Sequence, residues 1–301
     1  MPTTDPRPSP PPSVVAIGNF DGVHVGHQAL LNELFAAARR HSAVATVYTF
    51  DPAPTAVVAP DRHQPRLQCL AGRVARLHAA GVANVVVEPF TPAFAALPAE
   101  RFVRSVLVER LGARALVVGH DFRFGNMRAG DAAYIRRLAP EVELVEVAAV
   151  ELGGMPVSSS RIRKLLAAGE VEEAATLLGR PWSVSGPVVH GQARGRTIGF
   201  PTANVAQREE LQPRAGVYAV RAQLPDGHTL AGVANLGTRP TVGGKDRSVE
   251  VHLFDFAGDL YGQELEVSLV AWLRGERRFG SLGELTAQIA ADAASARARL
   301  T

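Results

Sequence analysis

The sequence predicts an α/β domain built on a doubly wound parallel sheet, followed by an antiparallel β-barrel with a C-terminal helix. Three observations carry this. Between residues 14 and 147, short runs that are apolar almost throughout alternate with amphipathic stretches, the pattern of a parallel sheet covered on both faces. From Trp182 to Leu273 no long helical period occurs, only strand-like runs separated by Gly, Pro and Asn clusters. At 282–299 a helical pattern returns.

The first half reads as strands at 14–17, 44–50, 84–90, 115–119 and 143–147, with helices at 27–40, 72–80, 99–111 and near 131–138. In the first helix Leu30, Leu31, Leu34, Phe35 and Ala38 form one stripe for the sheet. After Val150 a serine cluster opens helices at 160–168 and 171–178. The second stops at Gly179, with Pro181 just beyond. The barrel strands are SVSGPVV, GVYAVRAQL, HTLAGVANL, SVEVHLFDF and ELEVSLVAWL, with Pro225-Asp226-Gly227 as a hairpin turn. Leu285 and Ile289 mark the face with which the last helix covers the barrel. The expected division is a disordered proline-rich lead-in at 1–13, one domain at 14–180 and a second at 181–301.

Composition narrows the function. The chain has 301 residues, 47% apolar and 20% charged, enough to bury two cores, and its net charge is +3. So small an excess does not supply the cationic surface that phosphate-backbone binding needs, so nucleic acid is not an expected partner. No apolar run approaches the roughly 20 residues that cross a bilayer, so no membrane role is expected. The single cysteine, Cys69, fits a reducing compartment and is expected to be a buried thiol. The first 13 residues lack the apolar core of a signal peptide. A cytoplasmic enzyme, a monomer or weak homo-oligomer, is the expectation.

Four segments could carry chemistry. Gly18-Asn19-Phe20-Asp21-Gly22-Val23-His24-Val25-Gly26-His27 follows a strand and opens a helix. Its glycines permit close backbone approach, and free N–H groups at a helix start favour phosphate oxygens. His24 and His27, three apart, can meet on one face and neutralise a nucleotide's phosphates. In Ser158-Ser159-Ser160-Arg161-Ile162-Arg163-Lys164 the serines can simply cap a helix. The cations beside them oppose the helix dipole by about 0.3–1 kcal/mol each, a penalty that a bound anion would offset. Ile162, Leu165 and Leu166 are the buried stripe there, which leaves Arg161 and Lys164 solvated and Arg163 at the edge, placed for a phosphate.

The third segment, His190 to Asn204, is a glycine-rich loop with Arg194 and Arg196, then Thr202 and Asn204 two residues apart. Alternation along an extended chain puts those two side chains on one face, where oxygen ligands could meet a hydrated Mg²⁺. An ordinary hairpin loop is the alternative. In the fourth, Val249, Val251 and Leu253 share one strand face and Glu250 takes the other. It faces water, or else accepts a proton from an attacking hydroxyl beside a magnesium-nucleotide loop.

Taken together, GNFDGVHVGH, TFDPAP, GHDFRFG, SSSRIR, GQARGRTIGFPTANV, NLGTRPTVGG, VEVHLFDF and LRGERRFGSLGEL resemble the bacterial bifunctional riboflavin kinase/FAD synthetase family. The resemblance implies a nucleotidylyltransferase-like, Rossmann-like first domain and a flavokinase barrel. ATP would phosphorylate riboflavin to FMN, and a second ATP would adenylylate FMN to FAD with release of pyrophosphate, Mg²⁺ accompanying the nucleotide. By position, His24, His27 and Arg163 would be catalytic in the first domain. Gly18, Asn19, Phe20, Asp21, Gly26, Ser158 and Ser159 would bind its ATP, and Asp121 and Phe122 would lie near flavin or nucleotide. In the second domain Glu250 would be the base, and Gly191, Arg194, Gly195, Arg196, Gly199 and Pro201 would hold ATP. Thr202 and Asn204 would hold the metal, and Arg274 and Phe279 would approach the flavin. Ala53 departs from the family's usual histidine and Ser160 from its threonine. The alternatives are a kinase whose first domain has lost adenylylation, and a flavin or nucleotide sensor without turnover.

Overall fold

The computed structural model describes the backbone of residues 10–191, 199–241 and 244–301, and the side chains of these residues apart from 238–248. Two compact units divide at Val157/Ser158.

The first unit is a parallel sheet of order β3-β2-β1-β4-β5. Its strands are β1 (Ser13–Ile17), β2 (Val44–Asp51), β3 (Asn84–Pro89), β4 (Ala113–Gly119) and β5 (Glu143–Val147). Helices α1 (Val25–Arg40), α2 (Pro54–Val58), α3 (Leu70–Ala79), α4 (Pro92–Ala95), α5 (Ala99–Arg101) and α6 (Ala132–Leu138) connect them, and α5 runs on into a π-helical stretch, Phe102–Arg110. Alternation along β1 sorts the core. Val14 and Ala16 pack with Leu31, Leu34 and Leu77 under α1 and α3. Val15 and Ile17 pack with Phe102, Val103 and Leu107 on the other face. Both faces are dry, which is why the strand sequences are apolar throughout.

Three expectations are corrected here. Ser13 is the first residue of β1, and the Pro12 carbonyl accepts from Val44 N at 2.9 Å, so the sheet begins inside the expected lead-in; residues 1–9 lie outside the described ones. Cys69 is only half-buried, because its thiol sits at the N-cap of α3 and accepts from Gly72 N at 3.4 Å. The helix expected at 99–111 is largely π-helical.

The second unit opens with a helix pair, α7 (Ser159–Ala168) and α8 (Val171–Leu178), which ends at Gly179 in the left-handed region. It precedes a closed barrel of order β10-β11-β12-β9-β8-β13. The barrel strands are β8 (Trp182–Val189), β9 (Ala203–Val205), β10 (Gly216–Gln223), β11 (Thr229–Thr241), β12 (Gly244–Leu253) and β13 (Glu264–Arg274). The 225–227 turn joins β10 to β11, with Gly227 at φ +88. A two-stranded ribbon, β6 (Glu151–Leu152) with β7 (Met155–Pro156), closes the first unit. The last helix, α9 (Leu282–Leu300), packs Ala296 and Leu300 against Val217, Ala219 and Ala271 of the barrel. Among the described residues no helix is long and apolar enough to cross a membrane.

Candidate active sites

The first site follows from strand order. The chain runs from β1 outward through β2 and β3, then returns to lay β4 on the other side of β1. At such a reversal the loops after the two central strands diverge and leave a crevice at their carboxyl ends, where open α/β sheets bind ligands. Gly18–His24 follows β1, and His120–Phe122 follows β4. The topology thus brings the first histidine-glycine segment and the Asp121/Phe122 pair to one edge. Asp121 is exposed, and Phe122 stacks on Phe124 with centroids 5.4 Å apart.

The expectation that the two histidines share a face holds closely. Helix α1 starts two residues earlier than the periodicity suggests, so His24 is its N-cap, and its Nδ1 accepts from His27 N at 3.3 Å. The rings stack 3.6 Å apart at 14°. A Cβ on Gly26 would come within 3.2 Å of the His24 ring, so the stack depends on that glycine. Phe20 lies below, its ring centroid 5.0 Å from that of His27. Phe20 (φ 49), Gly22 (φ 83) and Val23 (φ 43) all take left-handed backbone angles, a strained conformation for the two side-chain-bearing residues. The Asp21 carboxylate turns inward and accepts from Leu67 N at 3.0 Å.

Burial, the adjacent His24 ring and the Arg73 charge hold His27 well below the ordinary imidazole value of 6.5. In the unfolded chain this imidazole binds a proton as pH falls through about 6.5, while the folded one resists it, so stability is full above that pH and declines below it. Thermal unfolding should therefore show the first unit losing stability between pH 7.5 and 5.5. His27→Gln should flatten that dependence; an equally steep curve for the variant would refute the assignment.

Ser158 caps α7, its Oγ accepting from Arg161 N at 3.2 Å, and Ser159 begins the helix, with Arg163 half-buried beside it. These residues belong to the second unit. Ile162 and Leu166 are buried as expected. Arg161 is not solvated. Its side chain is 17% exposed and pairs with Glu173 at 2.9 Å, because α8 folds back beside α7.

The second site lies in the barrel. Register pairs Asn204 on β9 with Glu250 on β12, and Glu250 with Asn235 on β11. Directly paired residues point to the same sheet face, so these three form one polar row. Glu250 and Asn235 line a cavity of about 350 Å³, together with Thr202, His252, Arg274 and Phe279. Val217, Val233, Leu285 and Ile289 give it an apolar lining. Arg274 Nε and Nη2 grip the buried Asp292 carboxylate of α9 at 2.9 and 2.7 Å, and its guanidinium lies 5.8 Å from the Phe279 ring. Gly191 lies so close to Asn204 that a Cβ would fall 2.2 Å from Nδ2. Gly199 has φ +82, and the Pro201 carbonyl accepts from His252 Nδ1 at 2.9 Å. Arg194, Gly195 and Arg196 lie outside the described residues.

Asn235, Asp292 and Arg73 stand outside the motifs of the four segments, and His252 lies in the fourth without a predicted role. A signal for two of them exists: Arg73 precedes Leu77 by one turn, and Asp292 follows Leu285 and Ile289 on the buried stripe, so each is a charge where helical periodicity calls for an apolar residue.

An α/β sheet with a phosphate-suited histidine turn at its switch point, followed by a barrel with a carboxylate-amide row over a ligand-sized cavity, defines a two-domain nucleotide-dependent transferase. A FAD synthetase family model matches residues 7–161, and a riboflavin kinase model matches residues 178–300. The chain is 44% identical over 286 residues to the bifunctional riboflavin kinase/FMN adenylyltransferase of Escherichia coli (strain K12), covering 94% of this chain and 91% of that one. It is 43% identical to the protein of that description from Pseudomonas fluorescens, covering 97% and 94%. A solved structure described as a macrolide-efflux protein from Streptococcus pneumoniae superposes with a TM-score of 0.86 at 34% identity, covering 95% of this chain and 93% of that one. The chain belongs to the bifunctional riboflavin kinase/FMN adenylyltransferase family.

Proposed function

We propose that the barrel transfers the γ-phosphoryl group of ATP to the terminal ribityl hydroxyl of riboflavin, giving FMN and ADP. The parallel-sheet unit then joins FMN to the AMP part of a second ATP, giving FAD and pyrophosphate. The observation that carries the reading is the row Asn204, Glu250, Asn235, of which Glu250 and Asn235 line a cavity with Thr202 and Arg274, in a different unit from the His24/His27 stack.

In the kinase half Glu250 accepts the proton of the attacking hydroxyl. Arg274 and Phe279 border the flavin, with Asp292 fixing the guanidinium by two charge-assisted bonds. Gly191, Gly199 and Pro201, with Arg194, Gly195 and Arg196, form the ATP loop. The side-chain oxygens of Thr202 and Asn204 suit a hard cation. Among the described residues no group of three or more His, Cys, Asp or Glu is placed to hold a metal ion by itself. When bound with ATP, Mg²⁺ supplies charge neutralisation on the phosphates. Gly191→Ala should lower kinase turnover about tenfold or more by displacing the Asn204 amide, overpacking of this kind costing about 1–3 kcal/mol. Adenylylation of supplied FMN should not change, and a variant with the original kinase rate would refute that packing argument.

In the adenylylating half, Gly18, Asn19, Phe20, Asp21 and Gly26 shape the nucleotide pocket and His24 and His27 face the triphosphate. By their match to the family's serine-arginine element, Ser158, Ser159 and Arg163 at the start of α7 are assigned to phosphate, while Asp121 and Phe122 border the flavin or nucleotide. An anion beside a neutral buried imidazole favours its charged form, so the arriving triphosphate would draw a proton onto His27. The FMN phosphate attacks the α-phosphorus directly, and the protein supplies position and charge.

A second reading is a kinase with weakened adenylylation. It rests on Ala53, which begins α2 without a side-chain cap where the family usually has histidine. A time course of riboflavin, ATP and Mg²⁺ decides between them: FAD following FMN supports the two-step reading, FMN accumulating alone the second. Binding without ADP or pyrophosphate would make the protein a sensor. The reading places both reactions in the cytoplasm, in keeping with the single cysteine.

A further inference from the structure

Helix α3 carries a guanidinium inside the fold. Only 1% of the Arg73 surface is exposed. A buried cation is costly unless its donors find partners. Those partners are backbone oxygens: Nη1 donates to the Asn19 carbonyl at 2.7 Å and Nη2 to that of Phe50 at 3.0 Å. Asp21, Asp51 and Arg66 are the charges around it. The two carboxylates are engaged elsewhere, Asp21 by Leu67 N and Asp51 by Arg66. The fork therefore ties the residue that opens the first site, just after β1, to the end of β2.

That tie has a directional consequence. A peptide unit is planar and trans, so fixing the Asn19 carbonyl toward Arg73 turns the Phe20 N–H to the opposite side. That N–H has no protein acceptor among the described residues. Phe20 itself sits at φ 49, a strained angle that persists only where the surroundings enforce it. Thr49 Oγ1 adds a second donor to the Asn19 carbonyl at 3.2 Å. From Phe20 the contact passes to the His27 ring.

We infer that Arg73 is a positioning residue for adenylylation: by holding the Asn19 carbonyl it keeps the Phe20 turn, and through it the His24/His27 stack, oriented toward the triphosphate. This rests on the adenylylation reading above. Arg73 touches no substrate, so its loss should reduce turnover and leave ground-state binding largely intact.

The test uses Arg73→Met and Arg73→Lys in the full chain, with steady-state FAD formation from FMN and Mg-ATP, and riboflavin phosphorylation by the same molecule as the control. Arg73→Met should lower kcat for FAD roughly 10- to 100-fold while KM for ATP moves less than about threefold, the cost of slight misplacement of reacting groups. Arg73→Lys, which can reach one carbonyl but not span both, should lose less than Met while melting at the parent temperature. Kinase turnover should be unchanged in both.

A Met variant with unaltered kcat, or one that raises KM alone, would overturn the inference. If Met unfolds the first unit, the Lys variant decides: reduced kcat in a folded protein supports positioning, and full kcat or unfolding overturns it. Absence of FAD from the parent chain would instead sink the adenylylation reading and this inference with it.

Discussion

Replacing Glu250 by alanine should lower riboflavin phosphorylation roughly 10²- to 10⁴-fold, the usual contribution of a general base. The residue stands between Asn204 and Asn235 in one register row, so a proton leaving the hydroxyl at that row has a carboxylate placed to receive it. Glu250→Gln keeps the shape and one accepting oxygen but cannot take the proton. It should therefore be nearly as slow as Ala while melting like the parent. FAD formation from supplied FMN should persist in both variants, because the His24/His27 stack belongs to the other unit. Parallel loss of the two activities would disprove separate sites, and a Gln variant as fast as the parent would remove Glu250 from the proton transfer.

His27→Ala should have the converse effect, a fall in FAD formation of roughly 10²- to 10³-fold, as when one electrostatic contact to a developing anion is removed. The ring stacks 3.6 Å from His24 and contacts Phe20. Alanine thus removes both a donor and a support of the strained turn. His27→Gln separates the two, since it restores bulk and a polar end without a titratable ring. Riboflavin phosphorylation in the same samples reports the integrity of the rest of the chain. FAD formation unchanged in the alanine variant would take His27 out of the mechanism.

Much of this architecture was legible in the residues. Strand and helix positions followed from local periodicity, since a side chain's direction along one element depends only on its place in that element. So did the meeting of His24 and His27, three apart at a helix start, and the placing of Glu250 on the strand face opposite the buried Val249 and Val251. Helix ends were less accurate, because a cap such as His24 lies outside the repeat that reveals the helix.

The two-part organisation, the barrel's strand-forming runs and the glycine-rich segments are all readable from the chain alone, because each rests on neighbours within a few residues. Which distant residues come together is a matter of the folded arrangement. Asn235 and Asn204 flank Glu250 through strand pairing, Asp292 holds Arg274 from another element, and Arg161 meets Glu173 because two helices fold together. Arg73 reaches Asn19 across 54 positions. The reason is that register, strand order and helix docking are set by the packing of the whole core, which no local window contains.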